Sequence, residues 1–301
     1  MTIVRAFFVA LVMLGTLAGT AFAQRNIDER RAVVPAGFIR IFAHDGFVRV
    51  VGWDKDSLAV TGSVHEPPGD RFVVEITPRG AKVGLWGEAD AKLQPSSITV
   101  YVPRASQVWV KTGGANVDVA QVNGAIDLFS ATGTLNVSGT PRSIYAETMG
   151  GAVNVLNIKT PAARLKTASG AIRTNGIINE LTAVTVSGDI NAAMQSFGRA
   201  RIESVEGQIR YVGAIPAQAV MDVINHAGSI TLIIPPATSA DFAFNLYEAD
   251  LVDEFGIKKR WMMSSKMKSK DMTFGVGDRP SARVTIRSFK GPVAIRRQPA
   301  K

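Results

Sequence analysis

From residue 106 onward, apolar and polar positions alternate in short runs, and each run breaks at a glycine. The pattern Gly-x-apolar-x-apolar starts at Gly133, Gly151, Gly170, Gly188, Gly207 and Gly228, at spacings of 18, 19, 18, 19 and 21 residues. Ala115 holds the same place 18 residues before Gly133, and Gly291 restores the pattern near the end of the chain. Five residues upstream of these positions stand Val110, Leu128, Ala146, Leu165, Ala183, Ile202, Val223 and Ile286. Three residues upstream stand Thr112, Ser130, Thr148, Thr167, Thr185, Ser204, Asn225 and Ser288. These are small hydrogen-bonding side chains at a phase where the alternation would otherwise place an apolar one. Period-2 alternation on both sides of a glycine predicts two short strands joined by a tight bend. The glycine is expected to supply positive φ at no steric cost.

A second set of turn residues lies between the units: Gly124, Gly139 with Pro141, Pro161, Gly176, Gly198, and Gly213 with Pro216. Each unit is therefore expected to have two corners. A β-sandwich also places strands every 8–12 residues, but it does not require one residue type at a fixed phase in eight places. Stacked coils do, because each coil sets that position above its predecessor's. The expected fold is all-β, a single-stranded β-solenoid of 18–19-residue coils with irregular β caps at both ends. The Ser/Thr/Asn positions then form an inward structural ladder, bonded to corner backbone or to each other. One coil cannot fold alone. Four buried apolar side chains contribute about 1.5–3 kcal/mol each, whereas fixing some 18 residues costs roughly 1–2 kcal/mol apiece.

The ends depart from the repeat. Residues 37–105 hold irregular β runs separated by Gly52-Trp53-Asp54, Pro67-Pro68-Gly69 and Pro78-Arg79-Gly80, and are expected to cap the stack. Ile39, Ile41, Gly46, Val48 and Val50 fit the coil template, with Ala43 at the hydroxyl position. Residues 24–36 read as a leader. Residues 106–297 are the solenoid proper, interrupted over 233–283 by a segment that carries a basic insertion at 248–272. Within the insertion, Lys258, Lys259, Arg260, Lys266, Lys268 and Lys270 are interleaved with Trp261 and three methionines and no acid. Such a run suits contact with an anionic surface, or serves as a solvated loop.

Residues 1–23 combine Arg5, an apolar run from Ala6 to Leu17 and an Ala21-Phe22-Ala23 cleavage site, the pattern of a secretory signal peptide. Gly15, Thr16, Gly19 and Thr20 break the run short of a membrane span, and no integral span is expected after cleavage. Export places the mature chain in the periplasm or at the cell surface, where nucleic acid is not an expected partner. Cleavage takes the formal charge from +9 to +8. With no Cys, disulfides, zinc clusters and thiol catalysis are unavailable. The three histidines, His44, His65 and His226, are far apart in sequence. No cofactor or metal site is expected.

The segment G-F-V-R-V-V-G-W-D (46–54), the S/T-x-x-G-x-[I/V] repeats and R-V-T-I-R-S-F-K-G-P-V-A-I (283–295) resemble a bacterial envelope family. It is the β-strand-repeat "putative adhesin" family of unknown function, also called the Toastrack domain. The resemblance covers most of residues 37–297. It implies a β-helix-like fold, export or surface display, and a non-enzymatic envelope role, sometimes tied to envelope stress. It carries no catalytic residues over, and the basic insertion departs from it.

A polysaccharide-active β-helix enzyme is the rival reading. Such chemistry needs carboxylates about 5–10 Å apart, hence acids at matching phases one or two coils apart. The phase after the glycine offers only Asp189, and two residues on stand Asn136, Asn154, Arg173, Asn191, Arg210 and Thr231, with no acid. Gly113-Gly114-Ala115-Asn116 opens a strand rather than a helix, so it is no phosphate loop. The expected function is thus an exported, non-enzymatic envelope protein, adhesin-like or a structural scaffold. Its partners are expected among envelope polysaccharide, anionic lipid and other envelope proteins. The outward column Asn136, Asn154, Asn191 is one contact surface, and the 258–270 loop is the alternative, in an envelope-stress role.

Overall fold

The computed structural model describes residues 24–66, 71–86, 95–256, 262–263, 269–277 and 280–299. These form β-strands with no α-helix among them. The N-terminal strands are β1 (Gln24–Ala32), β2 (Phe38–Ala43), β3 (Gly46–Trp53), β4 (Ser57–His65), β5 (Arg71–Thr77), β6 (Gly80–Trp86) and β7 (Ser96–Pro103). The repeats follow as β8 (Gln107–Thr112) and β9 (Asn116–Ala120), then β10 (Ala125–Ser130), β11 (Leu135–Gly139) and β12 (Ser143–Thr148). Two long strands come next, β13 (Val153–Thr167) and β14 (Ile172–Thr185). After them come β15 (Ile190–Ser196), β16 (Arg199–Ser204), β17 (Ile209–Val212), β18 (Val220–Asn225) and β19 (Ile230–Ile234). The chain ends with β20 (Ala240–Leu246), β21 (Leu251–Asp253), β22 (Met262–Met263), β23 (Lys270–Val276), β24 (Ala282–Ser288) and β25 (Val293–Arg297).

Successive coils stack through parallel pairing in two ladders. In the first, β8, β10, β12, the later half of β13, the later half of β14, β16 and β18 lie side by side. In the second, β9, β11, the earlier halves of β13 and β14, β15, β17 and β19 do the same. Inward residues of both ladders meet in one core. Val110, Leu128, Ala146, Leu165, Ala183, Ile202 and Val223 are all fully buried there, as are Val117, Leu135, Val153, Ile172 and Ile190. The alternation legible in the sequence is the alternation of core and surface.

The second corner is not always a break. Pro161 and Gly176, read as turn residues, lie inside the continuous strands β13 and β14. The chain bends there by a bulge: the β13–β14 register shifts between Val155 and Ile158, Asn157 takes φ 53° and Gly176 φ +116°. A bulge turns the strand without surrendering the ladder on either side.

Both ends are threaded. The first coil, β2 and β3, lies between β8 and β9 on one side and β6 and β7 on the other, so a later segment forms the outermost coil. At the far end β24 and β25 lie between β18 and β19 on one side and β20 and β21 on the other. The segment read as an interruption at 233–283 therefore contributes a coil, with Leu246 registered against Ser288 at the hydroxyl phase. Leucine at that phase hid it from the repeat pattern. Antiparallel strands cover the outer coils, β5 on β6, β4 on β7 and β23 on β20. They end a parallel stack whose outermost strand would otherwise be open to pairing.

Residues 24–36, read as a leader, include β1, which pairs antiparallel with β4 along its whole length. Only Ile27 of β1 is buried, and Asp28, Glu29, Arg30 and Arg31 keep its outer surface charged, so its composition resembled a linker. The signal-peptide pattern at 1–23 lies outside the described residues.

Candidate functional site

Three columns of side chains run along the stack, one inward and two outward. The inward one is built from the Ser/Thr/Asn positions. Thr112 is registered against Ser130, Ser130 against Thr148, Thr148 against Thr167, Thr185 against Ser204, Ser204 against Asn225, and Asn225 against Ser288. Thr167 and Asn225 show how these side chains work twice. Thr167 Oγ1 accepts from Gly170 N–H at 3.0 Å and donates to the carbonyl of Gly151, one coil back, at 3.1 Å. Asn225 does both with its two amide atoms, accepting from Gly228 N–H and donating to Gly207 O, each at 2.7 Å. Ser130, Thr148, Thr185 and Ser204 cap the N–H of Gly133, Gly151, Gly188 and Gly207 in the same way. The inward polar atoms thus satisfy corner backbone groups that burial would leave unpaired.

The corner glycines are required for a different reason from the one the sequence suggests. Gly133, Gly151, Gly170, Gly188, Gly207, Gly228 and Gly291 have no positive φ. A Cβ on Gly170 would stand 1.7 Å from Gly151 O, and one on Gly188 1.8 Å from Gly170 O. The glycines stack backbone on backbone, and any side chain would strike the carbonyl of the coil before.

The first outward column follows the second ladder. Arg49, Asp118, Asn136, Asn154, Arg173 and Asn191 are successive register partners. Asn136 Nδ2 donates to Asp118 Oδ1 at 2.5 Å, and Asn154 Nδ2 to Asn136 Oδ1 at 2.8 Å. Asn154 Oδ1 is buried without a hydrogen-bond partner. Arg49, Asp118, Asn136, Asn154 and Leu156 line an open groove over these coils. Asn191 stands beyond Arg173 and outside the hydrogen-bonded part of the column.

The second outward column follows the first ladder and was missed from sequence. Phe42, Trp109, Phe129 and Tyr145, one ring per coil, form a continuous row with centroid separations of 5.3, 5.7 and 5.4 Å. All four are half-buried. Arg40 is registered against Trp109, Trp109 against Asp127 and Asp127 against Tyr145. In the neighbouring file Phe42 is registered against Lys111, Lys111 against Phe129 and Phe129 against Glu147. Each coil therefore offers one ring and one charge in alternating places, basic at Arg40 and Lys111, acidic at Asp127 and Glu147. Burial among these neighbours pushes the Asp127 carboxyl above its ordinary range. Tyr145 donates its hydroxyl to Glu147, which with burial raises the phenol, and Lys166 Nζ lies 5.6 Å over the Tyr145 ring. The available signal was an aromatic at alternating phases, since Trp109, Phe129 and Tyr145 stand 20 and 16 residues apart.

Residues 91–296 match the Toastrack DUF4097 family. The chain belongs to the Toastrack family. Solved structures similar to this Toastrack chain include a putative adhesin from Bacteroides fragilis, 14% identical, with 91% of this chain and 98% of that one covered and a TM-score of 0.44. A putative adhesin and a putative lipid binding protein, both from Parabacteroides distasonis, are 12% and 11% identical with TM-scores of 0.39. Each covers 90% of this chain, and 97% and 96% of its own length is covered in return. No curated protein matches the chain. At family level the Toastrack chain is adhesin-like.

The remaining sequence-predicted features of this Toastrack protein are dispersed. The backbone N–H groups of Gly113, Gly114 and Ala115 all converge on the carbonyl of His44, at 3.1, 2.8 and 3.0 Å, so this turn is filled by the chain itself. Of the basic residues, Lys270 begins β23, with Nζ 3.4 Å from Ala249 O and 3.5 Å from Asp250 Oδ1. Lys258, Lys259, Arg260, Trp261, Lys266 and Lys268 lie outside the described residues. Among the described residues no group of three or more His, Asp or Glu is placed to hold a metal ion, and no helix is long and apolar enough to cross a membrane.

Proposed function

We propose that this Toastrack chain is an exported, non-enzymatic envelope protein that contacts surface components through the outward columns of its stack, as an adhesin or a structural scaffold. The observation that carries the reading is the groove on the second ladder, where Asp118, Asn136 and Asn154 are locked into one hydrogen-bonded file. A file of pre-ordered carboxamides offers donors and acceptors at each coil with little side-chain entropy left to lose on binding. The signal-peptide pattern of residues 1–23 supports export, and the partner classes that fit are envelope polysaccharide, anionic lipid and other envelope proteins. In the groove itself the carboxylate Asp118 is registered against Arg49 and Asn136 rather than against another acid, which suits contact rather than acid–base catalysis there.

Co-sedimentation of residues 24–301 with purified bacterial envelope fragments tests the reading. The chain is expected in the pellet, with less of the Asn136→Ala, Asn154→Ala double variant. A chain that stays in the supernatant at every concentration, or that releases sugar from envelope polysaccharide, would overturn it.

A further inference from the structure

We propose that two copies of this chain dock antiparallel through the outer face of the first ladder, on a two-fold axis that passes between Glu147 and Lys166. This interaction surface goes beyond the proposed function, and it leaves the carboxamide groove on the other ladder open in both copies. The outward file next to the corner reads Lys111, Phe129, Glu147, Lys166, Val184, Glu203, one residue per coil in unbroken register. Its second half repeats the order of its first: cation, apolar, anion. Turned end over end about its midpoint, such a file meets itself in opposite charges, as an isologous interface requires. Lys111 faces Glu203 of the second copy, Phe129 faces Val184, and Glu147 faces Lys166. One coil further out, Phe42, registered against Lys111, faces Ile224, which is registered against Glu203. Phe42, Phe129, Val184 and Ile224 point outward and are only half-buried in the single chain.

The neighbouring file is complementary under the same rotation. It reads Trp109, Asp127, Tyr145, Arg164, Thr182, Arg201. Both of its rings lie before the midpoint and both of its arginines after it. Trp109 faces Arg201 of the second copy and Tyr145 faces Arg164, so each ring meets the cation that packs best on aromatic side chains. Asp127 faces the hydroxyl of Thr182, and at the ends Arg40 faces Asp222. No like charges meet in either file. Along the corner that borders the face, Met149, Val186 and Val205 are 68%, 51% and 38% exposed. In their backbone-bonded file they fall opposite Ala168, Ala131 and Gly113 of the second copy, large against small. Within each chain Arg201 donates to Glu203 at 2.6 Å and Tyr145 donates to Glu147, so these groups are ordered before docking. The charges also fix the register, because sliding one copy by one coil sets Glu147 on Glu147 or Lys166 on Lys166. Eight coils at about 4.8 Å and five residues at about 3.3 Å give a face of roughly 650 Å² per copy, within the range of specific interfaces.

Analytical ultracentrifugation of residues 24–301 over a concentration series is the test. The chain is expected to sediment as a reversible dimer. Lys111→Glu sets an acid against Glu203 of the second copy at two symmetric places, and Glu203→Lys sets a base against Lys111 in the same way. Each variant alone is expected to weaken association about tenfold or more, with the fold kept by circular dichroism. An equimolar mixture of the two variants is expected to recover the dimer, because every acid at these places then meets a lysine of the other chain. That recovery reads the antiparallel register itself, since mixing does not repair a damaged fold. Arg210→Glu, outward on the second ladder, serves as the unaffected control. A chain that stays monomeric at every concentration overturns the inference. So does a dimer that persists in both single variants, or a mixture of folded variants that remains monomeric.

Discussion

The hydroxyl of Thr167 donates to the carbonyl oxygen of Gly151, 3.1 Å away on the preceding coil. That contact joins neighbours in space that are 16 residues apart in sequence, while Thr167 Oγ1 also accepts from the N–H of Gly170 on its own corner. Repeated along the stack, the pair of bonds fixes both the shape of each corner and its register on the coil before.

Thr167→Val should therefore destabilise by about 1–3 kcal/mol, because the valine leaves Gly170 N–H and Gly151 O buried and unpaired. Thr182→Val on the outward face of β14 should change stability by about 0.5 kcal/mol or less. Chemical denaturation of both variants measures the difference, and equal midpoints would contradict the capping role.

Gly170→Ala is expected to be more severe than the hydroxyl change. Its Cβ would lie 1.7 Å from Gly151 O, so two backbones must separate, at a cost of about 3 kcal/mol or more. Gly150→Ala, where the nearest atom is 3.7 Å away, should be close to neutral. The comparison of melting temperatures isolates close approach from backbone entropy, since neither glycine has positive φ.

Asp127 supplies a pH-dependent prediction. Burial raises its folded pKa above the ordinary 3.8, so the folded state favours the protonated acid. Its contribution to stability is full below the ordinary value and is lost as pH rises through the folded one. Asp127→Asn should accordingly raise stability at pH 7 by about 0.5 kcal/mol or less, the group being only half-buried. That advantage should vanish below pH 3.8, and a melting series across pH 3 to 7 follows it.

The carboxamide file predicts coupling. Asn136 accepts from Asn154 and donates to Asp118, so Asn136→Ala should cost about 1 kcal/mol. In a double-mutant cycle with Asn154→Ala the two changes should couple by about 0.5 kcal/mol or more. Strict additivity would mean the file is not joined as described.

The sequence by itself determined the regular middle of the molecule. A small polar residue three before each corner glycine, with apolar residues on alternate positions, leaves few ways to bury the chain except coil upon coil, and the registers from Thr112 to Ser288 are of that kind. Only the tertiary structure decided why the corners are glycine, because the clash comes from a carbonyl 15 or more residues away rather than from the residue's own torsions. It also decided the ends, where Leu246 occupies the hydroxyl phase and the order of coils in space departs from their order in the chain. The aromatic row was hidden for the same reason. Phe42 and Trp109 touch because β8 stacks directly on β2, although β3, the two antiparallel strands β4 and β5 and the outermost coil come between them in sequence. Local alternation reports which side of a strand faces the core, whereas neighbours on the outer face are set by which strand lies next to which.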